Sequence, residues 1–178
     1  MKEKTIVSKR KFNGRLLKLD LLEVRLRSGH LARREIVRHP GAVAALCRLP
    51  DGRFIFVKQF RKAIESDLLE VVAGTREPNE DSSSCARREV KEETGYKAAA
   101  LKRLGHVYTA PGFCNERIDI FFARLGGRQS QSSPDSDEQI EPVYLTKREV
   151  LNLLAAGKIK DAKTLAAWSM YTAVSKGI

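Results

Sequence analysis

The sequence predicts an α+β fold: a mixed β-sheet sandwiched between helices, with an antiparallel strand subdomain before it. Three observations predict it. Alternating and apolar runs suited to strands fill most of residues 4–74. The stretch from Asp81 to Gly95 then changes to a helical period. After residue 140 one strand signal is followed by two helical segments.

Taken in order, LKLDLLEVRL (17–26) largely alternates, the turn RSGH (27–30) reverses the chain, and LARREIVR is a basic strand. His39-Pro40-Gly41 breaks the pattern, which divides the chain into a strand subdomain, 1–39, and a second domain, 40–178. AVAALCRL and RFIFVKQF are strong strand signals joined by a tight turn at Pro50-Asp51-Gly52. DLLEVVAG (67–74) reads as one short strand ending on glycine. Asp81 and the serines after it are N-cap residues for a helix over Cys85 to Thr94, stopped by Gly95. Strands resume with ALKRLGHVYTA and ERIDIFFARL, and GGRQSQSSPDSDEQ (126–139) is a loop by composition. After the strand IEPVYL, Thr146 and Glu149 make a T-x-x-E capping box for REVLNLLAAG, and a last helix covers about Asp161 to Ser175.

Composition narrows the function classes. With 178 residues, 42% hydrophobic and 31% charged, the chain can bury a sizeable core. Its longest apolar run, AVAALC, is far too short to span a bilayer, and MKEKTIVSKRKF has no apolar segment behind its charges. Neither a membrane partner nor a secretory leader is expected. Cys47, Cys85 and Cys114 are odd in number, far apart and without a CxxC, which argues against a disulfide framework or structural zinc and for a reducing cytoplasm. Of the net charge of +11, residues 1–40 hold +8, twelve Lys or Arg against four acids. That surplus suits either an anionic partner or a solubilising surface. The scattered His30, His39 and His106 and the single Trp168 read as structural residues.

Against this basic background, GTREPNEDSSSCARREVKEETGY (74–96) holds six acids and four bases. On a helix Glu89, Glu92 and Glu93 are spaced i, i+3, i+4 and share one face, where like charges repel. Arg88 stands i−4 from Glu92 and can pair with it, which leaves at least two carboxylates needing a counter-ion. Hard oxygen ligands of this kind suit Mg²⁺ or Mn²⁺ rather than zinc, and Mg²⁺ on carboxylates commonly works with substrate phosphates. A solvated helix laced with ion pairs is the competing reading of RREVKEE alone.

The larger spacing decides between them. Gly74, Glu80, Arg88-Glu89, Glu92-Glu93 and Gly95 stand at fixed intervals that resemble the signature of the Nudix hydrolases, with Tyr96 where an aliphatic residue is more usual. The resemblance implies a Nudix fold and a loop-helix-loop that binds divalent metal and cleaves nucleoside diphosphates linked to another moiety. Glu89 and Glu93 are then the expected direct metal ligands, Glu92 a supporting one, and the backbone carbonyl of Ala73 completes the shell. Glu80 and Arg88 can pair and fix the loop against the helix.

The flanks, VKQFRKAIESDLLEVVAG and YTAPGFCNE, are similar to the ADP-ribose pyrophosphatase branch, with Pro111 in a PGxxxE arrangement that ends at Glu116. That resemblance implies Mg²⁺-dependent hydrolysis of ADP-ribose to AMP and ribose 5-phosphate, with Arg61 on the diphosphate, Arg34 on the nucleotide end and Glu116 on the terminal sugar. It also implies a homodimer in which N-terminal strands complete the partner's site. Glu138, Glu92 and Arg88 are the expected catalytic group; because Ser136 stands where relatives often carry an acid, Glu138 is the preferred general base, with Asp137 as its alternative in that loop and Glu116 or a glutamate of the 89–93 run as the fallback. Leu16 and Leu17 occupy the region that usually stacks the base, with only Phe12 nearby. A broader nucleoside diphosphate sugar hydrolase is therefore an open alternative, with removal of pyrophosphate from RNA 5′ ends and a non-catalytic nucleotide-binding module behind it. Nucleic acid is not the expected partner, since aromatics are only 7% and several lie in core-like strands.

Overall fold

A strand that is apolar at every position but its last needs cover on both faces. That strand is β4 (Ala42–Arg48), at the centre of the main sheet. The structure, a computed structural model, describes residues 2–127, 129–130 and 139–174. The chain divides into two compact units, one of residues 1–41 with 108–117 and one of residues 42–107 with 118–178. The sequence break at His39-Pro40-Gly41 falls at the end of the first segment, and the loop 108–117 joins the first unit rather than the second.

The first unit carries a three-stranded antiparallel sheet of β1 (Lys4–Asn13), β2 (Lys18–Arg25) and β3 (Leu31–Arg38) in that order. Every residue of β1 is exposed, and its pairing with β2 slips at Thr5/Val7 and again at Arg10/Phe12. Those irregularities explain why β1 shows no clean alternation in sequence. Asp20, buried on β2, ties the sheet together. Arg10 of β1 donates to its Oδ1, and Arg38 Nε of β3 donates to Oδ2 at 3.0 Å. The Arg10 bond first, then the Arg38 bond, holds this carboxyl below its ordinary range.

In the second unit β4 runs parallel to β9 (Arg117–Gly126) and antiparallel to β5 (Phe54–Arg61), in the order β10-β5-β4-β9-β8, where β8 is Lys97–Tyr108 and β10 is Ile140–Leu145. Pleating sends alternate residues to opposite faces. Ala42, Ala44 and Leu46 join Phe54, Phe56, Ile120 and Phe122 in one core cluster, packed with Val150, Trp168 and Tyr171 of helices α2 (Lys147–Ala155) and α3 (Ala162–Val174). Val43, Ala45 and Cys47 join Ile55, Val57 and Phe121 in a second cluster with Cys85, Ala86 and Val90 of α1 (Ser82–Thr94). The sheet is thus mixed and held between helices, as the sequence predicts.

Three local features differ from the sequence expectation. DLLEVVAG is two strands, β6 (Ser66–Glu70) and β7 (Val72–Thr75), because β5 and β4 pair only at Cys47↔Ile55 and Arg48↔Phe54. Beyond that point β6 pairs with β5 and β7 with β4, so the segment changes partner at Val71. The Val71 N–H donates to the Thr164 hydroxyl at 2.8 Å, so a side chain of α3 satisfies a buried donor where the segment changes partner. Helix α1 begins at Ser82, three residues earlier than read, because Asp81 Oδ1 accepts from the N–H groups of Ser83 and Ser84. A 3₁₀ turn at Lys62–Ile64 gave no sequence signal. The capping box of Thr146 and Glu149 forms as read.

Candidate active site

The loop from Thr75 to Asp81 is braced before any ligand arrives. Glu80 accepts from Arg88 Nε at 2.9 Å and Nη2 at 3.0 Å, and its Oε2 accepts the Glu77 N–H at 3.0 Å. Arg76 returns two bonds to the Glu80 carbonyl, at 3.1 and 2.7 Å. The Arg88 bonds above all hold the Glu80 carboxyl at about 2, against the opposing effect of partial burial. The same guanidinium reaches Glu89 at 2.8 Å and Glu92 at 3.0 Å. One cation therefore stands among three carboxylates.

Helix α1 turns its acidic face toward β7. Glu93 is 4% exposed, and its Oε1 accepts the Ala73 N–H at 3.4 Å. A Cβ on Gly74 would lie 1.9 Å from the Glu89 carboxylate, so only glycine lets that carboxylate rest against the strand backbone. Glu92 is more exposed than either. Glu89 and Glu93, one turn apart, thus meet the two neighbouring residues Gly74 and Ala73. At the far end Gly95, at φ +72°, closes the helix with its N–H on the Lys91 carbonyl.

This donor set fits a hard divalent cation. It offers carboxylate oxygens and a strand backbone, with no thiol or imidazole, and the Gly74 cradle keeps Glu89 in place. Among the described residues no three such side chains already enclose a metal-sized cage; Glu89 and Glu92 lean on Arg88. Cys85 is not a competing ligand, since burial first and then its bond to Glu80 push its thiol up to about 12.

The remaining expected residues stand elsewhere. Arg61, in the same unit, donates through Nε and Nη2 to Glu70 at 2.7 and 2.6 Å. Arg34 and Glu116 belong to the first unit. There Arg34 donates to Glu3 at 3.2 and 2.6 Å, while Glu116 accepts from the Thr109 hydroxyl at 2.7 Å with His39 Nδ1 3.5 Å from its other oxygen. Glu138 lies outside the described residues.

Sequence reasoning missed Glu70 and the residues at the head of α3 that attend it, Asp161 just before the helix and Lys163 and Thr164 in its first turn. The signals were a lone charge inside the apolar run of DLLEVVAG and the D-x-K-T at the head of a helix. His39, read as structural, accepts the Gly41 N–H at 3.0 Å and stands beside Glu116. No described helix is long and apolar enough to cross a membrane.

Comparison with known proteins now bears on this geometry. The family model described as NUDIX domain matches residues 38–168. An ADP-ribose pyrophosphatase of Bacillus subtilis is 39% identical over 94% of this chain and 91% of its own. A methanol dehydrogenase activator of Bacillus methanolicus is 38% identical over 93% and 90%, and a GDP-mannose pyrophosphatase of Yersinia enterocolitica 32% over 90% and 87%. A solved structure described as an ADP compounds hydrolase shares the fold, with a TM-score of 0.86 over 99% of this chain and 96% of that one at 22% identity. The glutamates of α1, the glycine that seats one of them and these likenesses agree: the chain belongs to the Nudix family of hydrolases.

Proposed function

We propose that this Nudix hydrolase cleaves the pyrophosphate bond of ADP-ribose in a metal-dependent reaction, releasing AMP and ribose 5-phosphate. The observation that carries the reading is the acidic face of α1 seated on β7, with Glu89 against Gly74 and Glu93 beside Ala73. The likeness to the B. subtilis ADP-ribose pyrophosphatase supports the substrate.

Glu89, Glu93 and the Ala73 carbonyl would hold Mg²⁺, with Glu92 supporting; Mn²⁺ could take its place. That ion would supply charge neutralisation for the diphosphate and activation of water. Arg88 keeps Glu89 and Glu92 in register from its anchor on Glu80. Arg61 binds the diphosphate, Arg34 the nucleotide end and Glu116 the terminal sugar. Glu138 accepts the proton of the attacking water. The enzyme works in the cytoplasm as a homodimer whose N-terminal strands complete the partner's site.

A broader nucleoside diphosphate sugar hydrolase is the second reading. The likeness to a GDP-mannose pyrophosphatase favours it, as does the exposed aliphatic pair Leu16 and Leu17 in place of an aromatic base stack. A panel of ADP-ribose, GDP-mannose, UDP-glucose, dinucleoside polyphosphates and triphosphorylated RNA, each with Mg²⁺ and with Mn²⁺, separates the two. Preferred turnover of ADP-ribose to AMP supports the first reading. Comparable rates on several sugars support the second, and dominant turnover of RNA ends overturns both.

A further inference from the structure

Glu70 is 1% exposed, a carboxylate at the end of β6 where the segment changes partner. Arg61 grips it fork to fork through Nε and Nη2, which fixes the guanidinium in the carboxylate plane. Lys163 Nζ donates to Oε2, the oxygen that Arg61 Nη2 also uses, and to Asp161 Oδ1 at 3.1 Å. Burial pushes the Glu70 carboxyl up, but the Arg61 bonds and the Lys163 ammonium outweigh it and hold it below its ordinary value. Arg61 itself keeps 39% of its side chain exposed. A buried base thus aims a half-exposed guanidinium.

Stability alone does not explain Lys163. It lies in the first turn of α3, where the helix dipole disfavours a cation, and a lysine only 12% exposed is rare unless paired. Apolar side chains of similar volume commonly replace buried ion clusters at no loss of stability. What an apolar residue cannot do is share Glu70 Oε2 with Arg61. That sharing fixes the carboxylate on which the Arg61 fork rests.

We infer that Lys163 is a positioning residue for substrate diphosphate, acting through Glu70 to orient Arg61. The inference rests on the reading of Arg61 as a diphosphate contact. Asp161 accepts the Thr164 N–H and hydroxyl at 2.9 and 2.6 Å, which ties Lys163 to the head of α3, while Thr164 in turn holds Val71, next to Glu70.

Steady-state kinetics on ADP-ribose test it with Lys163→Met, Lys163→Arg and Arg61→Met, each shown folded at the assay temperature. Lys163→Met is expected to raise KM about tenfold with kcat nearly unchanged, the mark of lost uniform binding. Lys163→Arg restores most of the loss, and Lys163→Met adds nothing in the Arg61→Met background. If Lys163→Met melts too low, Lys163→Gln, which still donates to Glu70, is expected to give an intermediate KM. An unchanged KM, or an equal and additive effect in the Arg61→Met background, overturns the inference. If Arg61→Met alone leaves KM unchanged, the reading beneath it fails as well, and the two failures are distinguishable.

Discussion

Two charged clusters in the second unit are built to opposite rules. Around Arg88 stand Glu80, Glu89 and Glu92, three carboxylates against one guanidinium, a local charge of −2 with the buried Glu93 close by in sequence. Around Glu70 stand Arg61, Lys163 and Asp161, two cations against two carboxylates and a balance of zero. The second cluster is balanced as folded and holds Arg61 with part of its side chain exposed. The first carries an excess of acid along one loop and helix, the arrangement that the proposed cation site requires. Imbalance, rather than the number of charges, is what sets the proposed site apart.

The contrast breaks most sharply at Gly74. Gly74→Ala drives a methyl into the Glu89 carboxylate, and we expect kcat/KM to fall about a hundredfold or more, since displacements near 1 Å at a reacting centre cost that much. A near-normal rate would mean that the Glu89 position is not critical. Next come matched carboxylate removals. Glu70→Gln removes the buried carboxylate that Lys163 and Arg61 share and is expected to cost about 3 kcal/mol in a denaturant titration. Glu92→Gln relieves like-charge crowding on a partly exposed helix and should change stability by less than about 1 kcal/mol while activity drops. If the two variants lost stability equally, the distinction between balanced cluster and proposed site would collapse.

The smallest effect is on acid stability. Glu80 is held at about 2 against an ordinary 4.5, so between those values the unfolded chain binds more protons and stability rises with pH. Its contribution is complete above about 4.5 and lost as pH falls through about 2. Glu80→Gln should flatten that part of the pH–stability curve, read by urea midpoints at several pH values.

The acidic cluster was legible in sequence because its members sit within a single loop and helix, where period and spacing bring Glu80, Arg88, Glu89, Glu92 and Glu93 together. The balanced cluster was not, since Glu70 and Lys163 are 93 residues apart and meet only after β6 and α3 have packed. The same logic governs the fold. Strands β3, β4, β5 and β10 carry local patterns and lie where they were read. The division of DLLEVVAG depends on β4 and β5 parting, a tertiary event that leaves no local mark. Exposed β1 has no buried face to impose a period, so its bounds are not marked within the stranded stretch read from residue 4.

The central claim is that the unbalanced carboxylates hold the divalent ion that hydrolysis requires. Titrating Mn²⁺ into the wild type and Glu93→Gln, with bound ion followed by electron paramagnetic resonance and ADP-ribose turnover in the same samples, tests it most directly. The account predicts that binding and turnover rise together in the wild type, and that Glu93→Gln weakens both with its fold retained. Unchanged ion binding and turnover in Glu93→Gln would contradict it.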